Sequence, residues 1–295
     1  MSKILVTGAS GQLGQAVIRH LLETYGVKAS DVVAASRDTS KLSALAAKGV
    51  ETRTDDFDDA ASLDAAFAGI DTALLISTDA LAVPGQRLTQ HKAAVAAATK
   101  SGIKHIAYTS MQKPDTSLVT FAPDHLGTEE AIKASGVPYT ILRNAWYHDN
   151  YLHGMPHNVE AGQWFTAMAD GKVPNISRDD CARAAAAVLA KGKAENKTYD
   201  ITGPQSLNAD QIAETISKVT GKPLAVIKVS PADLQKGIEG AGLPSFVAQM
   251  LASADANIAA GNFDIVTDDY ETLTGQKPQT LEAFFTAHRA ALLSA

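Results

Sequence analysis

Residues Met1-Ser-Lys-Ile-Leu-Val-Thr-Gly-Ala-Ser-Gly-Gln-Leu-Gly14 decide the fold. Ile4, Leu5 and Val6 form a short apolar run that predicts a buried first strand. Gly8, Gly11 and Gly14 follow at intervals of three. From Gln12 the apolar spacing becomes helical, so that Leu13, Val17, Leu21 and Leu22 can share one face. The order is therefore strand, glycine turn, helix. That order supplies what a pyrophosphate needs: backbone that can come close, N–H groups pointing outward, and the positive end of a helix dipole. The same glycines would also serve a plain, tightly packed turn. Their place between a strand and a helix favours the nucleotide reading.

Strands and helices alternate through the rest of the first half. Asp31–Ser36, Val50–Arg53, Thr72–Ile76, Ile103–Thr109 and Tyr139–Leu142 read as strands. Helices are predicted over 41–48, 63–67, 85–101 and 124–135. This rhythm predicts an α/β fold, a Rossmann-type doubly wound parallel sheet, with ligands at the carboxyl ends of its strands. Beyond Asn144 the pattern loosens into a stretch rich in aromatics and histidines, from Trp146 to Trp164. Helices at 178–189 and 208–220 and strands at 197–202 and 226–229 follow. The expected division is a nucleotide-binding domain over 1–145, with about 173–203 packing back on it. A smaller, partly interleaved C-terminal α/β substrate lobe takes 146–172 and 204–295.

Composition narrows the function. The 295 residues carry a net charge of −6 with no long block of one sign, which argues against nucleic acid or an anionic membrane as partner. No apolar stretch is long enough to span a bilayer, and the first apolar run stops at Val6, so no secretory leader is expected. The lone Cys181 excludes an internal disulfide. The expectation is a cytoplasmic enzyme or binding protein.

Several residues at predicted strand ends carry candidate chemistry. Arg37, after the second strand, stands where NAD-binding proteins usually place a carboxylate and NADP-binding ones a cation for the 2′-phosphate. NADP(H) is therefore expected over NAD(H), although Asp38 follows at once. Asp56 can accept from an adenine amino group or cap the next helix. Ser77 and Thr78 fall where a nicotinamide ribose would pass. The short-chain dehydrogenases, which the glycine spacing resembles, use a Tyr-x-x-x-Lys pair to protonate a carbonyl. Four residues after the seven tyrosines stand Ala29, Gln112, Arg143, Tyr151, Met155, Gly203 and Thr274, so the pair is absent. His125 and Glu129 occupy the region instead. Reducing a simple ketone produces a strongly basic alkoxide that needs a proton donor; reducing a quinone or a cationic dye does not. His125 remains a candidate proton donor or a helix-face support for the pocket. His148, His153 and His157 match no metal-ligand spacing, and no metal is expected.

The chain resembles the quinone oxidoreductase 2 family, NmrA-like atypical short-chain dehydrogenases that include triphenylmethane dye reductases. The resemblance rests on Thr7-Gly-Ala-Ser-Gly-Gln-Leu-Gly14, Ala35-Ser-Arg37, Lys104-His-Ile-Ala-Tyr-Thr-Ser110, His125-Leu-Gly-Thr-Glu129 and, most specifically, Tyr139-Thr-Ile-Leu-Arg-Asn-Ala-Trp-Tyr147. It implies an NADPH-dependent reductase that passes a hydride directly to a quinone-type acceptor without flavin. Triarylmethane or azo dyes are the alternative acceptors, and a non-catalytic NADP(H)-binding redox sensor is the alternative class. By resemblance, Gly8, Ala9, Ser10, Gly11, Gln12, Leu13 and Gly14 form the pyrophosphate turn and Arg37 meets the 2′-phosphate. Tyr139, Arg143 and Asn144 border the nicotinamide. Met111, Trp146, Tyr147 and Tyr151 face the substrate, with Tyr147 a second catalytic candidate. The stretch Thr78–Gln86, with its apolar Ala80-Leu-Ala-Val83, departs from the family pattern on the expected substrate side. The oligomeric state stays open, a homodimer among the options.

Overall fold

In the chain's first half, every residue of the central strands is buried, as a sheet covered on both faces requires. The computed structural model describes residues 2–192 and 194–294. Its elements in order begin β1 (Ile4–Val6), α1 (Gln12–Arg19), β2 (Val32–Ala35), α2 (Ser43–Ala46), β3 (Glu51–Arg53) and α3 (Ala60–Phe67). They continue with β4 (Thr72–Leu75), α4 (Gln86–Lys100), β5 (His105–Met111), α5 (Ala122–Ala134), β6 (Tyr139–Asn144), α6 (Tyr151–Ala161) and β7 (Gln163–Thr166). The remainder is α7 (Arg178–Lys191), β8 (Lys197–Ile201), α8 (Ala209–Thr220), β9 (Ala225–Lys228), α9 (Pro231–Gly240), α10 (Ser245–Ala259), α11 (Asp269–Thr274), α12 (Leu281–Ala287) and α13 (Arg289–Leu292).

Seven strands form one mostly parallel sheet in the order β3-β2-β1-β4-β5-β6-β8. β1 pairs in parallel with β2 on one side and β4 on the other, Leu5 opposite Val33 and Ala73. The chain thus winds outward from β1 in both directions. Right-handed crossovers then put helices on opposite faces and leave a crevice where the order reverses, at the carboxyl ends of β1 and β4. The doubly wound α/β expectation holds. A core of Leu5, Val33, Phe67, Ile106, Tyr108 and Ile132 fills this part.

The chain divides into two units. The first comprises 1–111, 124–143 and 179–199; the second comprises 112–123, 144–178 and 200–295. In the second, β7 and β9 form a separate parallel pair, with Trp164 opposite Val226. Along β7, Trp164 and Thr166 are buried and Gln163 and Phe165 exposed, the two-residue period of a strand with one covered face. The loose stretch after Asn144 holds α6, which the sequence pattern did not suggest because Pro156 lies inside it. A proline there removes one helical hydrogen bond. Met155, Pro156 and Val159 face inward, and Gly162 ends the helix in the left-handed region, at φ 69°. Asn208 caps α8 in a reciprocal box with Gln211.

Candidate functional site

The glycine turn joins β1 to α1, and its three glycines do different work. Gly8 takes φ +59°, a left-handed conformation that side chains resist. At Gly14 a Cβ would lie 2.4 Å from the Gly8 carbonyl oxygen and 2.8 Å from the Ala9 Cα. Gly14 therefore exists to let α1 pack on the turn. Gly14, Val17, Ile18 and Leu21 form the buried stripe, while Leu13 and Leu22 are half-buried at its flanks. That corrects the predicted face by about one position, because the helix must present its glycine to the turn. Ala9 is buried behind the turn and spends its N–H on the Ala35 carbonyl. Ala9 and Gly14 thus shape the turn from behind, and Gly8, Ser10 and Gly11 face the cavity. Gly11 is the N-cap of α1 with no side-chain cap, and helix geometry leaves the first N–H groups without intrahelical acceptors.

The turn forms one wall of a cavity of about 250 Å³. It is also lined by Ser36 and Arg37 after β2, Asp55, Asp56 and Phe57 after β3, Ile76, Ser77, Thr78 and Asp79 after β4, and Gln90 of α4. All are in the first unit and all loop residues are at carboxyl strand ends. The Ser10 and Ser36 hydroxyls lie 2.8 Å apart. Arg37 is exposed, its guanidinium 3.6 Å from the exposed Asp79 carboxylate, a weak solvent-screened pair. Asp38 does not compete for the cavity. Its carboxylate accepts from the Ser40 hydroxyl at 2.6 Å and the Ser40 N–H at 3.0 Å, and these bonds hold its pKa below the ordinary aspartate value. Asp56 does not cap α3; Asp59 does, accepting from the Ala61 N–H at 2.9 Å, while Asp56 accepts from the Asp58 N–H.

Asp55 was not singled out in the sequence, although it is the more buried of the two adjacent aspartates. The Gly8 N–H donates to its carboxyl, yet burial raises its pKa to about 7 against the opposing pull of Arg37. Its Oδ2 and the Oε1 of Gln90 are buried without a hydrogen-bond partner. Both aspartates lie beyond the end of β3 and line the cavity, so the strand's two-residue period does not say which of them is the more buried. Gln90 and Asp79 carried no sequence signal.

A second polar cluster lies behind Thr78. The Thr78 N–H donates to His91 Nε2 at 2.9 Å, and its carbonyl accepts from Arg87 Nε at 2.7 Å. Arg87 Nη2 lies 3.0 Å from His125 Nε2, and the other His125 nitrogen is 2.8 Å from the Tyr108 hydroxyl. Because a guanidinium only donates, His125 Nε2 accepts and Nδ1–H donates to Tyr108. By the same rule His91 Nδ1–H donates to the Thr128 hydroxyl at 2.9 Å, which in turn donates to the Asp124 carbonyl at 2.6 Å. Both histidines are neutral: burial takes His91 down to about 3 and His125 well below its ordinary value. His125 is thus a scaffold residue with both ring nitrogens engaged, not an exposed proton donor. Glu129, fully buried, accepts from Ser110 Oγ at 2.7 Å and from Arg143 at 2.9 and 2.7 Å. Arg143, expected at the cofactor, carries a bidentate pair to Glu129. Tyr139 opens β6 at the end opposite the cavity and packs on the core beside Val137. Four residues of strand put it roughly 13 Å from Arg143, too far for a cofactor contact at the carboxyl end.

Met111 is buried at the end of β5. In the second unit the Asn144 amide donates to the Tyr147 hydroxyl at 3.0 Å, and the Arg178 guanidinium lies 5.1 Å from the Tyr147 ring centre. Asn175 joins two other expected substrate residues: its amide donates to the Trp146 carbonyl at 3.1 Å and its oxygen accepts from the Tyr151 hydroxyl at 3.2 Å. Tyr151 also meets Trp164 and Phe285 edge-on, and burial raises its pKa. His148 is buried against Phe284, whereas His153 and His157 are exposed. Among the described residues no three His, Cys, Asp or Glu side chains converge as metal ligands, and no helix is long and apolar enough to cross a membrane.

Strand order and the glycine-turn cavity define a Rossmann-type α/β protein. Within that class the chain belongs to the NmrA-like family, whose model matches residues 1–285. It is 40% identical to quinone oxidoreductase 2 of Escherichia coli (strain K12) over 271 residues, 92% of each chain. The crystal structure of Citrobacter sp. triphenylmethane reductase with NADP(H) superposes with a TM-score of 0.91 at 36% identity, covering 97% of this chain and 100% of that one. The NADPH complex of the Escherichia coli NADPH-dependent quinone oxidoreductase gives 0.91 at 38% identity, covering 97% and 99%.

Proposed function

We propose that this protein is a cytoplasmic NADPH-dependent oxidoreductase that transfers a hydride directly to a quinone-type acceptor, without flavin. The observation that carries the proposal is an Arg37-lined glycine-turn cavity in a chain 40% identical to a quinone oxidoreductase over nearly its whole length. The cavity suits the adenosine end of NADP(H). Gly8 and Gly11 keep the turn clear of side chains, and the amino end of α1 offers backbone N–H groups and a dipole to the pyrophosphate. Ser10, Ser36 and Arg37 offer two hydroxyls and a fork-shaped cation to the 2′-phosphate. The orphaned acceptor Gln90 Oε1 calls for a hydrogen-bond donor of the kind that adenosine carries.

When bound, NADPH supplies the hydride. The chain's own part is to orient and enclose. His91 and Arg87 fix the Thr78 backbone at the cavity wall from both sides. Asn144, the last residue of β6, orients the Tyr147 hydroxyl, and we assign Asn144 to the nicotinamide side. Trp146, Tyr147, Tyr151 and Met111 are the proposed acceptor contacts. With His125 and Glu129 both committed, no acid of the Tyr-x-x-x-Lys type stands in α5. That favours an acceptor whose reduced form is a weak base. The 36% identity to triphenylmethane reductase supports a cationic dye as the second choice.

The test is NADPH consumption by flavin-free protein against a panel of quinones and triarylmethane and azo dyes. Reduction of quinones with the higher kcat/KM supports the proposal; higher efficiency on dyes moves the assignment to them. Tight NADPH binding with every acceptor untouched sinks the reductase assignment and leaves a nucleotide sensor.

A further inference from the structure

The cavity wall carries an acid that cofactor binding of the ordinary kind does not need. Asp55 is 3% exposed, presses its carboxyl against the Gly8 N–H, and keeps Oδ2 buried without a partner. It shares the cavity with Arg37, the cation assigned to the 2′-phosphate. We propose that Asp55 is a cofactor-selecting residue: neutral, it admits the 2′-phosphate beside Arg37; charged, it opposes that phosphate and leaves the 2′-hydroxyl cofactor untouched. The proposal rests on the NADP(H) assignment above.

The electrostatics are local. The charged side chains lining the cavity are Arg37 after β2, Asp56 beside Asp55, and Asp79 after β4, which already meets Arg37. From α4 the cavity receives the neutral Gln90, and from the glycine turn Ser10. His91, behind Thr78, is neutral throughout the neutral range. One guanidinium therefore faces up to three carboxylates before any phosphate arrives. Burial puts the Asp55 transition at about 7, inside the range where the balance matters. Adding a dianionic phosphate pushes that transition higher still, so NADPH binding takes up a proton.

The experiment measures dissociation constants for NADPH and NADH by fluorescence titration from pH 5.5 to 8.5, in the wild type and in Asp55→Asn. Asparagine keeps an oxygen for the Gly8 N–H and can never ionise. In the wild type, NADPH affinity is expected to fall about tenfold across pH 7 while NADH affinity stays level, a drop set by one unit charge near another in a partly screened site. In Asp55→Asn the drop disappears and NADPH binds about tenfold tighter than wild type at pH 8.5. The 2′-phosphate itself titrates near 6 in both proteins, so it cancels in the comparison. Thermal melting provides a readout without cofactor. The native state holds its Asp55 proton up to about 7, whereas the unfolded chain releases it near 4. Wild-type stability therefore declines with rising pH across that interval relative to Asp55→Asn. Parallel NADPH profiles in the two proteins overturn the inference while leaving the reductase assignment standing. Absence of NADPH binding to the wild type at every pH overturns both.

Discussion

The cavity and the α5 cluster are neighbours built from the same kinds of side chain, yet they are finished differently. Around the cavity, buried acceptors on Asp55 and Gln90 stand without partners and Arg37 lies open. Around α5, both nitrogens of His91 and His125, the Tyr108 and Thr128 hydroxyls and both Glu129 oxygens are engaged. Buried polar groups left unmade cost free energy, so they persist where something else completes them; groups already complete hold the fold. The difference fits the proposed cofactor site at the glycine turn and a structural role for the α5 cluster.

Glu129 gives the contrast its largest expected effect. It is fully buried and its charge is balanced by the bidentate Arg143 and, at 3.4 Å, by Lys133. Glu129→Ala leaves Arg143 without its carboxylate and costs about 3–5 kcal/mol, read from the denaturant midpoint. Cofactor affinity of the folded fraction stays within about twofold, the stabilisation that ligand binding adds being the same for both proteins. Loss of NADPH affinity with stability intact would move Glu129 to the ligand side and erase the contrast.

Arg37→Ala probes the other region. The side chain is largely exposed, so folding stability is unaffected. NADPH binding is expected to weaken by about 10- to 100-fold, the loss of one or two charge-assisted hydrogen bonds to phosphate, and NADH binding by less than about twofold. Equal losses for the two cofactors, in the same titration, would show that Arg37 does not meet the 2′-phosphate.

Much of this layout was legible in the sequence, for identifiable reasons. β1, β2 and β4 are apolar runs bounded by turn residues, and the glycine turn sits where the period changes from two to 3.6, so the sheet and its crevice followed. The place of Arg37 at the cavity was readable because it lies just past the second strand. Asp55 was not, because choosing between it and Asp56 needs the three-dimensional course of the chain after β3. His125 looked reactive by type and position; its partners Arg87 and Tyr108 come from α4 and β5, and no local pattern brings them together. Tyr139 and Arg143 occupy one strand, and only the direction of β6 tells which end meets the crevice. α6 was hidden by Pro156, since tertiary packing of Met155 and Val159 outweighs one missing hydrogen bond.

Tyr108→Phe is the smallest and most discriminating change. Tyr108 belongs to the core, and its hydroxyl is the only part removed; the ring volume is kept. His125 Nδ1–H loses its acceptor in a buried site, which costs about 1–2 kcal/mol by thermal or denaturant unfolding. If the cluster passed protons to a substrate, the same change would lower kcat and shift its pH profile. The bonding directions argue otherwise. Arg87 cannot give up a proton, His125 is held neutral by burial and by Arg87, and the hydroxyl of Thr128 ends on the Asp124 backbone carbonyl. Neither the Arg87–His125–Tyr108 chain nor the Thr78–His91–Thr128–Asp124 chain contains a histidine that takes up a proton near neutral pH. Quinone reduction by Tyr108→Phe is therefore expected to keep the wild-type kcat within about twofold and an unchanged pH profile, with the whole effect appearing in stability.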